Sequence, residues 1–210
     1  MRRGLILWSK KEVPATVLDA RVARFQKAMA VEQLDAAVLH TCFPRPAAVS
    51  FLTHFVPYWS EAVLVVLPEG APCLFAALSK RVHGWIREVS HLGEIISAPK
   101  PGDAAAKFLK ERIRGSVRIG VVDFDALPFS VVEPLAAAFG RDALIAADGV
   151  FAAIRQPPDA AEIALAEHAF GLATQALGKV GADATRTSEI TSAIEASARA
   201  AGAEEAMVAL

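Results

Sequence analysis

The sequence predicts an α/β fold in which a mixed six-stranded sheet carries helices on both faces and is followed by two further helices. Three observations support this prediction. Hydrophobic residues make up 54% of the 210 residues, which is enough to bury a substantial core. Residues 62–78 contain two apolar runs in the pattern of a β-hairpin. From residue 79 onward, amphipathic helical segments alternate with short β-branched runs.

The first elements are a helix, a strand and a short helix or turn. Residues 16–32 have apolar side chains at helical spacing, and Thr16 with Asp19 three positions later suggests a capping box. Residues 35–40, "DAAVLH", predict a short buried strand. Residues 47–55 follow a proline-broken loop and predict a short helix or turn.

The hairpin and the alternating segments supply the rest of the sheet. "AVLVVLP" and "PCLFAAL" are separated by "EGA" between two prolines, which is the strongest hairpin signal in the chain. A helix inside residues 128–139 must tolerate Pro134. Beyond the hairpin, the predicted helices cover residues 79–90, 102–114 and 128–139, and the predicted strands cover residues 94–98, 117–122 and 143–147.

A rigid joint precedes the last two helices. Pro157 and Pro158 impose an extended approach, after which Asp159 and Glu162 form a D-x-x-E capping box. The helix that follows has an apolar stripe, listed as Ile163, Ala166, Phe170, Ala173, Leu177 and Val180. The next helix begins at Thr187 and ends at Gly202. Its inward residues are Ile190, Ala193, Ile194 and Ala198.

The last two helices need another layer of structure against which to pack. This layer is either the preceding domain or a sheet beyond residue 210. The prolines favour the second, so we expect domains at 1–155 and 156–210.

Composition excludes several classes of function. The formal net charge is −1 and the basic residues are scattered, which disfavours nucleic-acid binding. No stretch reaches the roughly 20 apolar residues that span a bilayer, so we expect no membrane partner. Two isolated cysteines suit a reducing, cytoplasmic compartment. The sequence contains no Walker A, dinucleotide-binding or serine-hydrolase motif.

Four segments together resemble the creatinase/prolidase-type (pita-bread) metallopeptidases, which include Xaa-Pro dipeptidases and aminopeptidase P. The segment "VFAAIRQPPDAAEIALAEHAFGLATQAL" is similar to their domain junction, in which a short strand precedes the turn and the long helix, and "TRTSEITSAIEASARAAGAEE" to their next helix. "AVSFLTHF" and "RIGVVDFDALPFSVVEPLAAAF" resemble elements of their N-terminal domain. Ala48, Phe51 and His54 depart from the family pattern of Asn, Tyr and Gly.

The resemblance implies a creatinase-type N-terminal domain followed by two helices of an incomplete pita-bread domain. In an intact homologue it implies two divalent metal ions (Mn, Zn or Co), held by five ligands in the pita-bread sheet, and a peptide or small amide substrate. It also implies a homodimer. We expect no catalytic residue, metal ligand or cofactor within these 210 residues, and we expect the chain to be a fragment, a truncated product or a degenerate relative.

Two loops carry the candidate substrate-binding residues. "HTCFPRP" and "THFVPYWSE" place aromatic rings beside Arg and His side chains, which suits apolar walls with a carboxylate clamp. The alternative is ordinary packing between domains or subunits. The family's corresponding loop borders the active site of the dimer partner. The candidate residues are His40, Phe43, Arg45, His54, Tyr58 and Trp59.

Three functions follow from these observations. The first is the substrate-gating and dimer-forming part of an Xaa-Pro dipeptidase-like hydrolase, not catalytic by itself. The second is a stand-alone, non-catalytic binding or dimerisation module derived from that family. The third is a phosphotransfer or nuclease domain that uses Asp123 and Asp125. These two carboxylates lie at the end of a predicted strand and could share a Mg²⁺ ion, although a capped turn is the simpler interpretation.

Overall fold

The computed structural model describes residues 8–180, 186–203 and 206–208, which fall in two compact units, one ending at Pro157 and the other beginning at Pro158. The strands are β1 (Ala36–Cys42), β2 (Glu61–Val66), β3 (Cys73–Ala76), β4 (Glu94–Ser97), β5 (Ile119–Val122) and β6 (Leu144–Ala146). The helices are α1 (Ala15–Val31), α2 (Ala47–Thr53), α3 (His83–Val89), α4 (Pro101–Arg112), α5 (Phe129–Phe139), α6 (Asp148–Ile154), α7 (Ala160–Leu177) and α8 (Thr187–Ala200).

The first unit is built on one six-stranded sheet of order β4-β3-β2-β1-β5-β6. Strand β2 is antiparallel to β1 and β3, and the other neighbouring pairs are parallel. The predicted hairpin is β2 and β3, in register from Ala62 with Ala76 to Val65 with Cys73. The mixed six-stranded sheet predicted from the sequence is therefore confirmed.

Helices cover both faces of this sheet, as predicted. Alternate residues of a strand point to opposite faces, so Leu39 and Val38 of β1 enter different hydrophobic clusters. The Leu39 cluster contains buried residues of α1, α2, α3 and α6, and we call its side face A. The Val38 cluster contains buried residues of α4 and α5, and we call its side face B.

Helix α1 begins one residue earlier than the sequence pattern indicates. Pro14 is its N-cap and no side chain caps the helix, so the predicted box of Thr16 and Asp19 is wrong. A capping box needs its hydroxyl residue at the N-cap, whereas Thr16 lies inside the first turn of a helix that begins at Ala15. The Asp19 carboxylate instead accepts a 2.7 Å hydrogen bond from Nε2 of His91.

Helix α6 replaces the short strand that the family resemblance implied at the domain junction. Its buried residues, Phe151 and Ile154, are three positions apart and lie on one side of the helix, against face A. Asp148 occupies the first turn, where a negative charge stabilises the helix dipole. The apolar run "VFAAI" therefore follows helical rather than strand periodicity.

Helices α4 and α5 approach each other closely at Gly102. A methyl group at Gly102 would lie 2.7 Å from Cα of Val131 and also against the Ser130 carbonyl oxygen. Pro134 lies inside α5 and has no N–H, so this carbonyl lacks its usual donor four residues later. The helix tolerates Pro134 as expected, and glycine on α4 makes room for the exposed carbonyl.

The second unit consists of α7 and α8. The predicted capping box is confirmed: Glu162 N–H donates to Oδ1 of Asp159 at 3.0 Å, and the Asp159 N–H donates to Oε2 of Glu162 at 3.4 Å. Ala176, Ile194 and Ala198 form a small buried cluster between the two helices. Much of the apolar stripe of α7 remains exposed, with Phe170 at 74%.

Candidate functional site

Four aromatic side chains form a continuous surface at one end of the sheet. Phe43 meets Tyr58 edge to face at a centroid distance of 5.7 Å, and Tyr58 meets Trp59 in the same way at 5.7 Å. Trp59 stacks on Trp85, also at 5.7 Å. We call Phe43, Tyr58, Trp59 and Trp85 the aromatic strip. Three of its members were predicted as site residues, and the structure brings those three together.

The two predicted loops hold the strip in place. A tight turn joins Cys42 to Arg45, whose N–H donates to the Cys42 carbonyl at 2.9 Å, so Phe43 lies at the tip of a turn. The second loop runs directly into β2, and the Ser60 hydroxyl donates to the Ala77 carbonyl at 2.9 Å. Both loops are thereby tied to the ends of strands, the first to β1 and the second to the residue after β3.

Trp85 is the member that neither of the two predicted loops contains. It lies on α3, is half-buried and packs against the face A cluster, where its ring also contacts buried Phe55 at 6.4 Å. Its indole N–H is buried and has no acceptor among the described residues. Its separation of 26 positions from Trp59 explains why loop composition could not reveal it.

Two members of the strip expose large apolar surface. Trp59 is 60% exposed and Phe43 is 44% exposed. Each packs against a neighbouring ring, so the exposed surface is continuous with the other members of the strip. Arg45 is exposed two positions beyond Phe43. The strip therefore offers flat apolar walls with a cation on the same loop, a combination that can bind an apolar group next to a carboxylate.

The side-chain contact described for His40 does not involve the strip. His40 follows Val38 on face B, whereas Trp85 packs on face A. Its side chain is 8% exposed, and Nε2 donates to Oε2 of Glu61 at 3.0 Å. This contact ties β1 to β2, so His40 is a satisfied residue of the sheet in this structure.

His54 also lies in a different cluster. It ends α2 in the left-handed conformation, with φ 63°, and its Nδ1 donates to the Val89 carbonyl at 3.0 Å. Trp8 stacks on His54 at 6.1 Å and contacts His91 at 5.9 Å. These contacts of His54 hold the segment around Trp8 against α2 and α3, and none of them reaches the aromatic strip.

The two aspartates that follow β5 line different cavities. Asp123 lies beside a groove of about 450 Å³ that also involves α6, whereas Asp125 lies beside a smaller cavity with Phe129 and Arg141. These two cavities therefore give no support to the hypothesis that this pair shares one Mg²⁺ ion. Across the three described ranges, no three His, Cys, Asp or Glu side chains gather into a group that could hold a metal ion. In that same part of the chain, no helix is long and apolar enough to cross a membrane.

Comparison with known proteins agrees with the architecture. A model of the Creatinase/Prolidase N-terminal domain family matches residues 21–156. A comparison with curated proteins gave no match. Among solved structures, the prolidase of Pyrococcus horikoshii OT3 is similar with a TM-score of 0.68 at 18% identity, over 88% of this chain and 50% of that chain.

Two further solved structures are similar to the chain. The Xaa-Pro dipeptidase of Bacillus anthracis gives a TM-score of 0.69 at 18% identity, over 89% of this chain and 50% of that one. An aminopeptidase P of Streptococcus thermophilus gives 0.51 at 18% identity, over 66% of this chain and 98% of that one. At these identities the likeness shows the fold alone. The chain spans about half the length of the prolidase and the dipeptidase.

Proposed function

The chain belongs to the creatinase/prolidase N-terminal domain family, and from that membership we propose that it is the substrate-gating and dimer-forming part of an Xaa-Pro dipeptidase-like hydrolase, not catalytic by itself. The observation that carries the proposal is the exposed aromatic strip. Its partner is a second copy of the same chain, and its ligand is a peptide or small amide. A cytoplasmic location belongs to the same proposal.

The ring contacts within the strip suit a surface that binds substrate, which is one part of the gating role. Edge-to-face and stacked ring pairs each contribute about 0.5–1.5 kcal/mol beyond the burial of their area. Phe43, Tyr58 and Trp59 are linked in this way to Trp85, which α3 holds on the core. A ligand that binds against these rings meets walls that are already ordered, so little conformational entropy is lost on binding.

The exposure of the strip suits a subunit interface. Tryptophan and phenylalanine are enriched at the centres of protein interfaces, where truncation of one ring can cost 2 kcal/mol or more. Trp59, at 60% exposure, has area available for such a contact. Burial of this ring by a second copy would place the strip of one subunit beside its partner, as the gating role requires.

A carboxylate-bearing substrate fits the charge on the first loop. Arg45 is exposed and follows the turn that presents Phe43. A guanidinium can hold a carboxylate through two parallel hydrogen bonds, while the rings enclose an apolar residue. Similar solved structures are described as a prolidase and an Xaa-Pro dipeptidase. A short peptide ending in proline has both features.

His40 and His54 take supporting roles in this proposal. The contact of His40 with Glu61 orders the ends of β1 and β2. His54 closes α2 and bonds to Val89. Neither residue lines the strip, so the proposed substrate-binding set is Phe43, Arg45, Tyr58, Trp59 and Trp85.

The two divalent metal ions implied for an intact homologue do not fit the described residues. No cluster of three potential ligands exists within them, and a hydrolytic metal site uses at least three protein ligands. We therefore derive no hydrolytic step for this chain. The second candidate function, a stand-alone binding or dimerisation module, predicts self-association without any binding of an Xaa-Pro peptide.

Self-association of the purified 210-residue chain tests the proposal. Analytical ultracentrifugation should detect a dimer, and W59S should raise its dissociation constant at least tenfold, which corresponds to about 1.4 kcal/mol. F129S is the matched control, because Phe129 is 73% exposed on α5 and outside the strip. A wild-type monomer at about 100 μM, or equal effects of the two variants, would contradict the dimer-forming role.

The gating role is tested separately with alanyl-proline. Binding should change the tryptophan fluorescence of the wild type, and R45Q should weaken it at least tenfold because the carboxylate loses its cation. R141Q is the control, since Arg141 is an exposed arginine beside a different cavity. Hydrolysis of alanyl-proline by the chain in the presence of Mn²⁺ would overturn its non-catalytic role, and dimerisation without peptide binding would favour the module.

A further inference from the structure

A groove opens where β1 and β5 lie side by side. The two strands are parallel neighbours, with Leu39 opposite Val122. From its carboxyl end β1 leads to α2 on face A, whereas β5 leads to α5 on face B. Two connections that leave in opposite directions create a crevice outside the strand ends, and open α/β sheets bind their ligands there.

The groove has the size and floor of a small-molecule site. Its volume is about 450 Å³, within the usual range of roughly 300–1,000 Å³ for ligand pockets. The floor is apolar and consists of Ala48, Val122 and Phe151, all of which are buried. Phe151 is fixed by edge-to-face contacts with Phe25 and Phe51 at 5.5 and 5.8 Å.

Charges of both signs line the rim of the groove. Asp148 and Arg155 are seven positions apart on α6 and its C-cap, so both project from the same side of the helix. At 1.5 Å per residue their Cα atoms are about 10 Å apart. Ala152 lies between them and its methyl group leaves that space open. The two charges therefore flank one apolar trough.

A third charged side chain, that of Asp123, also lines the groove, and we call the end near Asp148 the acidic end. Asp123 has the left-handed conformation, with φ 56°, and its N–H donates to Oδ1 of Asp148 at 2.7 Å. This bond ties the end of β5 to the start of α6 and places two carboxylates at the same end of the groove. The opposite end has the Arg155 guanidinium, which packs 5.0 Å from the Phe51 ring centroid, and Gln156.

The arrangement selects among ligand classes. Two carboxylates repel a nucleotide or other polyanion. A divalent cation needs more oxygen or nitrogen ligands than these two side chains supply, and no third acidic, His or Cys side chain completes a cluster in the described ranges. A molecule with an ammonium group, a carboxylate and an apolar body matches the acidic end, the basic end and the floor.

We infer that this groove binds a small zwitterion, an amino acid or dipeptide with an apolar side chain. Its ammonium group binds the carboxylates of Asp123 and Asp148, its carboxylate binds Arg155, and its side chain packs on Phe151. The site lies outside the aromatic strip, and the inference does not rest on the proposed function.

The probe is L-leucine, titrated into the ¹⁵N-labelled full chain and followed by two-dimensional NMR. Saturable shifts should be confined to amides lining the groove, with a dissociation constant of about 1 mM, typical of a small open site. Leucinamide lacks the carboxylate and 4-methylpentanoate lacks the ammonium group, so each should bind at least tenfold more weakly. Equal binding of leucinamide, or no saturable shift at about 20 mM leucine, would overturn the inference.

Two leucine substitutions separate filling of the groove from a general effect on α6. Ala152 and Ala153 are both exposed on this helix, but only Ala152 lines the groove. Leucine is a good helix former, so both variants should fold. A152L should weaken leucine binding at least tenfold and A153L should leave it unchanged. Unchanged binding by A152L would contradict the assignment.

D123N provides a test of charge without a change of backbone. Asparagine tolerates the left-handed conformation, so the bond from its N–H to Asp148 should persist. Loss of one carboxylate should weaken leucine binding and should leave the affinity for 4-methylpentanoate the same or higher. A variant that binds leucine as tightly as the wild type would exclude Asp123 from the site.

Discussion

The guanidinium group of Arg21 lies 4.5 Å from the centroid of the Phe51 ring, and its Nη1 donates a 3.0 Å hydrogen bond to the Phe51 carbonyl oxygen. Arg21 is only 5% exposed. One side chain of α1 therefore satisfies a carbonyl near the end of α2 and covers an aromatic ring of the same helix. The pair fixes α2, and with it the loop between α2 and the aromatic strip.

We expect R21M to lower the free energy of unfolding by about 2 kcal/mol, because a buried carbonyl loses a charged donor while the volume is largely kept. Urea denaturation followed by circular dichroism measures the change. K27M is the control on the same helix, since Lys27 is exposed and its replacement should stay within about 0.5 kcal/mol of the wild type. A loss no larger than that of K27M would show that the contact contributes little.

The close approach at Gly102 predicts a steric effect. G102A should destabilise the protein by about 1–3 kcal/mol, because the new methyl group must displace the backbone of α5 at Ser130 and Val131. G84A should have the opposite sign: a methyl group at Gly84 on α3 meets nothing within 4 Å, and alanine favours the helix by about 0.5–1 kcal/mol. Thermal unfolding of both variants tests this difference, and a neutral G102A would mean that the two helices separate easily.

The Cys73 thiol predicts a dependence of stability on alkaline pH. Burial, with the charge of neighbouring Glu94, raises the pKa of Cys73 from 9.0 to about 12. The unfolded chain then loses this proton above pH 9 while the folded chain keeps it, so stability falls as pH rises from 9 toward 12, by at most about 1.4 kcal/mol per unit.

C73A removes this titration at the constant cost of a smaller side chain. The difference in unfolding free energy between wild type and C73A should therefore shrink as pH rises from 8 to 10.5, measured by urea denaturation at each pH. A difference that is independent of pH would show that the thiol ionises as easily in the folded state. Labelling of Cys42 before Cys73 by iodoacetamide provides a second readout, since Cys42 is only half-buried.

Much of the fold could be predicted because local patterns and tertiary packing agree along the first unit. Two apolar runs separated by a short turn form β2 and β3. The D-x-x-E pattern caps α7 because both partners lie within one turn of each other. Where two signals compete, the pattern is insufficient: at the start of α1 the proline N-cap overrides the Thr16 and Asp19 pair.

Less of the candidate site could be predicted, because the composition of a loop does not specify where its side chains point. Phe43, Tyr58 and Trp59 come together since both loops end at the same part of the sheet. His40 belongs to a strand, whose alternation turns it to face B. The cluster around His54 depends on Trp8, which is 46 positions away. Glu61 for His40 and Trp8 for His54 are partners distant in sequence, and neither pairing could be predicted from local sequence patterns.

The shortness of the outer strands also limits how copies of this protein can associate. The outermost strands of the sheet, β4 and β6, have four and three residues. Strands this short offer few free main-chain groups to an added strand, which is how many proteins avoid aggregation through open sheet edges. A dimer of this chain would then form by contact between side chains and could dissociate without disturbing any backbone ladder.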